Sequence, residues 1–244
     1  MALEVAVAGG DLHKYNPYST FVEYTGAAAV WAALSAGQTQ PICPTGQVSQ
    51  TDDISIMRGH MDAYLAYTYS KRPELIEYNN DPDFFAFITF IVPPSHIRHN
   101  LANTYDNAVM IEYFLARADD EVADMPRAAC YLTAVVDAAR TLMRLMQVGG
   151  YNPGLATPQL RLGSFTGLFA RYPASVSGYF PGLNTPPYDA AGDLGNNAYL
   201  GFALTKVGSA IADSDMITAG SDIAYMAEHQ RVMYQCANVP TVMF

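Results

Sequence analysis

The side chains best suited to metal or proton chemistry at neutral pH are the five histidines, His13, His60, His96, His99 and His229. Only His96 and His99 have a useful spacing: three apart at the expected start of a helix, they could face one way. With Asp106, Glu112 or a distant carboxylate they could ligate zinc or iron. H-E-x-x-H is absent, and so is the Glu-x-x-His pair of di-iron bundles. A surface pair at a helix N-terminus is therefore the preferred reading of His96 and His99, and neither a metal nor a cofactor is expected. Glu228-His229 are helix neighbours about 100° apart and do not face each other. Asp119, Asp120, Glu121 and Asp124 lack the alternating pattern of a calcium loop and read as a solvated interhelical turn.

Nucleophiles and phosphate cradles fare no better. Neither G-x-x-x-x-G-K-[ST], G-x-G-x-x-G nor G-x-S-x-G occurs, and no histidine lies near Ser175 or Ser177. Cys43, Cys130 and Cys236 are far apart and odd in number, without CxxC, so buried free thiols are expected rather than a disulfide framework or a zinc site. Cys43 lies between Ile42 and Pro44 in a loop and is the more exposed; Cys130 sits on a strongly amphipathic helix.

The net charge of −10 and pI near 4.7 repel phosphate, and the 13 Lys and Arg nowhere cluster. Direct nucleic-acid recognition is excluded on that ground. Apolar runs fall far short of the ~20 residues of a membrane helix. Met1 to Gly10 has no basic region and carries Glu4, so it does not read as a secretory signal, and no N-x-S/T acceptor occurs. Charged residues make up 15 %, against about 25 % in an ordinary domain. Lysine is limited to Lys14, Lys71 and Lys206, whereas tyrosine numbers 17 and methionine 11. Interface cores lose Lys and Glu and gain aromatics and Met, which is the same bias.

The elements that would position any site are mainly helices. Thr20 to Glu23 matches a capping box, and the alanine-rich run from Gly26 to Leu34 gives a narrow helix that Gly37 stops. Thr51 or Asp52 caps a second helix with Ile54, Met57, Met61, Leu65 and Thr68 on one face, and Pro73 marks its end or the start of another turn. Phe84 to Val92, nearly all apolar between proline breakers, suggests a buried strand, with a buried helical segment as the alternative. Ser95 is expected to cap a helix to about Ala118, with Ile97, Leu101, Tyr105, Ala108, Ile111 and Leu115 inward. Pro126 opens the clearest helix, striped by Leu132, Val135, Val136, Ala139, Leu142, Met143 and Met146. Near the C-terminus, Asn197 or Asp193 caps a helix burying Leu200, Ala203, Leu204, Val207 and Ile211. Gly201 and Gly208 there invite a close backbone. Ser214 or Ser221 caps a last helix with Ile223, Met226, Met233 and Ala237 inward.

Gly149 to Gly195 differs: proline and glycine recur, few residues are charged, and aromatics are frequent. Such a segment is expected to be ordered by packing on something, as an arm across a neighbouring subunit or a lid over a pocket, with short strands around Leu160 to Phe169. The fold class expected is mainly α: about six helices, a long irregular Gly/Pro/aromatic segment and a few short strands. The organisation expected is a helical domain over 1–148, an arm or lid over 149–195, and helices over 196–244 packing back on the first part, as a single domain. The function expected is that of a structural subunit of a large assembly, a viral capsid or shell-associated protein rather than an enzyme. Its interface anchors would be Phe165, Phe169, Tyr172, Tyr179, Phe180 and Tyr188. Its partners would be itself and/or other shell proteins, without direct nucleic acid or membrane, in a virion or the cytoplasm and not secreted. The alternative is a helical enzyme or ligand-binding protein whose pocket the same segment covers.

Overall fold

A computed structural model describes residues 24–45, 52–79, 81–93, 95–96, 101–148, 159–162, 165–168, 171–173 and 194–223. The protein is mainly helical. In chain order the elements are α1 (Thr25–Ser35), α2 (Asp53–Asn79), β1 (Leu101–Asn103), α3 (Thr104–Asp120), α4 (Met125–Val148), β2 (Gln159–Leu162), β3 (Phe165–Leu168), β4 (Arg171–Pro173) and α5 (Leu194–Ile211). A sixth helix, α6, occupies 214–223.

α4 forms the centre. Ala128 to Leu132 are all buried, and so are the expected stripe residues Val135, Val136, Ala139, Leu142 and Met143. Ala134, Ala138 and Leu145 are buried too, so α4 is covered on most sides by α3, α1, α5 and the β2–β3 pair. α5 lies along α3 and buries Leu200, Ala203, Leu204, Val207 and Ile211, as its periodicity requires. Gly201 and Gly208 do admit a backbone. A Cβ on Gly201 would stand 2.9 Å from the carbonyl of Gly220, and one on Gly208 would stand 2.9 Å from the carbonyl of Asp213. α5 and α6 therefore cross at a distance that a larger side chain would forbid.

Helix ends explain several boundaries. Gly37 adopts φ 67°, while the N–H of Gly37 bonds Leu34 O at 3.0 Å and that of Gln38 bonds Ala33 O at 2.8 Å. This is a Schellman stop at the glycine expected to provide one. α3 begins at Thr104 rather than near Ser95, because Asn103 caps it by accepting from Tyr105 N at 3.0 Å. Leu101 accordingly lies in β1, and Ile97 lies outside the described residues. α1 begins at Thr25; the Thr20–Glu23 box lies outside the described residues. α2 does not end at Pro73 but continues through it to Asn79, the helix going on into further turns. Pro73 is exposed, and the neighbouring Arg72 is ion-paired to Asp137 of α4 at 2.9 Å, which holds that turn in place. α6 is capped by Asp213, which accepts from Met216 N at 3.0 Å, rather than by Ser214 or Ser221.

The segment 84–92 is neither a helix nor a ladder strand. Residues 84–88 are fully buried, yet their backbone is served by side chains. Asn107 of α3 accepts from Phe87 N at 2.8 Å and donates to Phe87 O at 2.9 Å, as a neighbouring strand would. Thr141 of α4 accepts from Phe85 N at 3.1 Å, and Tyr64 of α2 donates to Ile88 O at 2.8 Å. The segment thus lies between α2 on one side and α3 and α4 on the other, with side chains serving the backbone of Phe85, Phe87 and Ile88. The strands are short. β2 pairs antiparallel with β3, Leu162 opposite Phe165, as expected for that stretch, and β1 pairs antiparallel with β4, Ala102 opposite Tyr172.

Candidate functional site

Two places in this architecture stand out by charge: an ionic cluster in the interior and an uncharged face on the surface. The cluster begins with a column of rings. Tyr64 of α2 stacks on Phe87 at 6.3 Å, Phe87 on Phe114 of α3 at 5.6 Å, and Phe114 on Tyr131 of α4 at 5.6 Å. At its end the Tyr131 hydroxyl donates to Asp62 Oδ1 at 2.8 Å, which returns the chain of contacts to α2, two residues before Tyr64. Four elements are closed into one circuit by rings and one hydrogen bond.

Arg117 of α3 sits over that end. Its Nη2 donates to the Tyr131 hydroxyl at 2.8 Å and lies 3.6 Å from Asp62 Oδ1; its Nη1 donates to the Tyr113 hydroxyl at 2.9 Å; its Nε donates to Glu121. The guanidinium carbon stands 4.8 Å from the Tyr131 ring centroid. Arg117 and Asp62 are both buried. Burial pushes Arg117 towards losing its proton, but the bonds to Glu121 and Tyr113 outweigh it and hold the guanidinium above its ordinary value. Burial and the hydrogen bond to Asp62 both keep the Tyr131 phenol protonated well above its usual range. Every polar end in this set points at another, which makes it a clasp rather than an open site. Among the described residues no group of three His, Cys, Asp or Glu could hold a metal.

The second place is the outer side of α1. No residue of this helix is charged. Ala27 and Val30 face inward, and Trp31, half-buried, lies under the Arg140 guanidinium at 5.7 Å. The helix start is held from outside its own sequence: Asp119 of α3 accepts from Ala27 N at 2.9 Å. A Cβ on Gly26 would stand 2.3 Å from the Asp119 carbonyl, so α1 is pressed onto the end of α3. Asp119 is thus a tertiary cap, Glu121 a partner of Arg117, and Asp124 a partner of Arg127. Asp119 and Glu121 are bound to the fold, whereas Asp120 and Asp124 are exposed at the interhelical turn, as expected of them. Outward from α1 point Thr25, Ala28, Ala29, Ala32 and Ser35, all exposed. A surface helix normally carries charge there, and one apolar all round is normally covered.

Other apolar groups share this exposure. Ile54 and Met57, expected inward, are 61 % and 53 % exposed, because the start of α2 overhangs the core, which its buried residues reach from Gly59 onward. Tyr105, Tyr199 and Phe202 are also exposed, and the first two touch edge to face at 4.8 Å.

Of the expected interface anchors, Phe165 lies in β3 and Tyr172 in β4, while Phe169, Tyr179, Phe180 and Tyr188 lie outside the described residues. His96 is exposed in a turn, His99 lies outside the described residues, and Glu112 is taken by Lys206 at 2.6 Å. The expected free thiols are corrected. Cys43 and Cys130 are joined in a disulfide, their Cα atoms 5.2 Å apart across 87 residues of sequence. Their spacing gave no hint because the pair is made by the chain after α1 folding back over the start of α4. The signal that could have found Arg117 is its place on the core face of α3, three residues after Phe114 and four before Glu121. No family model, curated protein or solved structure matches this chain.

Proposed function

We propose that this protein is a structural subunit of a large assembly, a capsid or shell-associated protein acting through protein–protein contacts. The observation that carries this reading is the outer face of α1: a helix without a single charge, with Ala28, Ala29 and Ala32 open to water. Small side chains let a second helix approach closely, so such a face suits a partner better than solvent. The sparse charge of the whole chain and the exposed Ile54, Met57, Tyr105, Tyr199 and Phe202 support it.

The partners are further copies of this chain or other shell proteins, not a genome. Six described cations, Lys71, Arg72, Arg117, Arg127, Arg144 and Lys206, are already ion-paired to carboxylates, which leaves little basic surface for phosphate. A disulfide persists where thiols are not kept reduced, and the exterior of a particle is such a place. This favours the virion over the cytoplasm. Among the described residues no helix is long and apolar enough to cross a membrane.

Light scattering of purified protein at micromolar concentration is the test. A large, defined oligomer is expected. A stable monomer at all concentrations removes this reading and returns the chain to the ligand-binding alternative.

A further inference from the structure

We infer that Cys43 and Cys130 form a reversible redox lock, in which Cys43 exchanges with small thiols and Cys130 resolves. This inference stands apart from the assembly reading and does not depend on it. The two halves of the bond differ. Cys130 is fully buried in the second turn of α4 among Ala128, Ala129 and Tyr131. Cys43 is half-buried, on a segment whose Gln38, Gln40, Pro41, Ile42 and Thr45 are exposed and whose Thr39 is buried. Among the described residues, the hydrogen bond that joins that segment to α4 is the N–H of Ile42 donating to Pro126 O at 2.9 Å. α1, which precedes it, has its own attachments at Asp119 and Gly26. Gln38 stays bonded to Ala33 O and Thr39 is buried, so opening the bond loosens the outer part of that segment, 40–45, while the helices stay packed.

The chemistry follows from the difference in access. In closing, the Cys43 thiolate attacks a sulfur of an external disulfide such as oxidised glutathione, releasing one glutathione thiolate. The Cys130 thiolate then attacks the Cys43 sulfur and releases the second. Two protein thiols lose two protons and two electrons, and one glutathione disulfide gains them as two thiols. In opening, an external thiolate attacks Cys43, and Cys130 leaves and takes up a proton. A buried thiol is poorly ionised and hard to reach, so the first step cannot fall to Cys130.

Hydrogen exchange and peptide-mapped alkylation on the full-length protein, before and after dithiothreitol, test this. Reduction is expected to raise exchange in 40–45 by roughly tenfold or more while α3 and α5 keep their protection. Oxidised glutathione should restore the original pattern. The Cys130→Ala protein should hold glutathione as a stable mixed disulfide on Cys43, and in the folded Cys43→Ser protein Cys130 should resist iodoacetamide. Unchanged exchange in 40–45 after proven reduction overturns the lock. So does loss of protection throughout α3 and α5, which would make the bond a global staple. Rapid labelling of Cys130 in folded Cys43→Ser overturns the assigned order. The wild-type measurements decide the matter even if a variant does not fold.

Discussion

The interior around Arg117 and the outer face of α1 invert the usual arrangement of a small domain. Inside, a guanidinium, two carboxylates and two phenols meet among stacked rings. Outside, eleven residues of helix carry no charge. Charge in the interior is tolerable only because each group is held by others in fixed geometry; an uncharged exterior is tolerable only if something else covers it. One region is complete within the chain, and the other, on the function proposed above, is completed by a partner.

The sharpest way to break the comparison is Arg117→Met. The methionine keeps part of the arginine stem but takes the cation away from Asp62 and Glu121 and removes the donor to the Tyr113 hydroxyl, while the Tyr131 hydroxyl keeps only its bond to Asp62. A loss of about 3–5 kcal/mol is expected, as for a buried pair deprived of one partner. Thermal denaturation should show it as a fall of about 10 °C. Adding Asp62→Leu should recover part of that loss, because an apolar neighbour suits methionine better than an orphaned carboxylate. If Arg117→Met melts within a degree or two of the parent, the clasp is ornamental.

Asn107→Ala comes next. It removes both bonds that serve Phe87 in the buried segment 84–88, along with the bond from Asn107 Nδ2 to Asn103 O at 3.0 Å. A buried N–H and C=O left unserved should cost about 2–4 kcal/mol, measured by urea denaturation at unchanged slope. The main effect should be on the packing of α2, which meets α3 and α4 chiefly through this segment.

These two interior features also show what the sequence could convey. Periodicity reports which side of a helix is wet, so the buried faces of α4 and α5 were legible, and Gly37, Gly201 and Gly208 carried their meaning locally. Asn107 serves a backbone 20 residues away, Thr141 one 56 away, and Tyr131 meets Asp62 across 69. No local pattern encodes such pairings, and 84–92 accordingly read as a strand although side chains supply its ladder. The disulfide was hidden for the same reason. Ile54 and Met57 were misplaced because a helix that overhangs its core keeps its stripe after the contact has ended. The alanine-rich, narrow character of α1 was plain, but which of its sides is exposed required the structure.

Asp119 joins the two regions, since it ends the helix that carries Arg117 and caps the one that faces outward. Asp119→Ala deprives the first turn of α1 of its only described side-chain acceptor and of a negative charge at the positive end of the helix. A loss of about 1–2 kcal/mol is expected. Exchange should rise at Ala27 and its neighbours in α1 more than in α4, and assembly should weaken in proportion to the disorder introduced. An effect spread evenly over the bundle would mean that α1 is not held at this point.

The smallest effect on folding should come with the largest effect on association. Ala28→Glu combined with Ala32→Lys changes two exposed alanines of α1. The pair stands at i, i+4 with the acid nearer the N-terminus, the favourable order on a helix. Both residues are good helix formers and neither enters the core, so stability should move by no more than about 0.5 kcal/mol. Net charge is unchanged, which removes altered solubility as an explanation. A partner seated on this face, however, would have to strip water from two charges and lose close approach to the alanines. The double variant should therefore melt like the parent and scatter like a monomer. If it still forms the parental oligomer, the outer face of α1 is not where the partner sits, and the contrast with the interior loses its functional meaning.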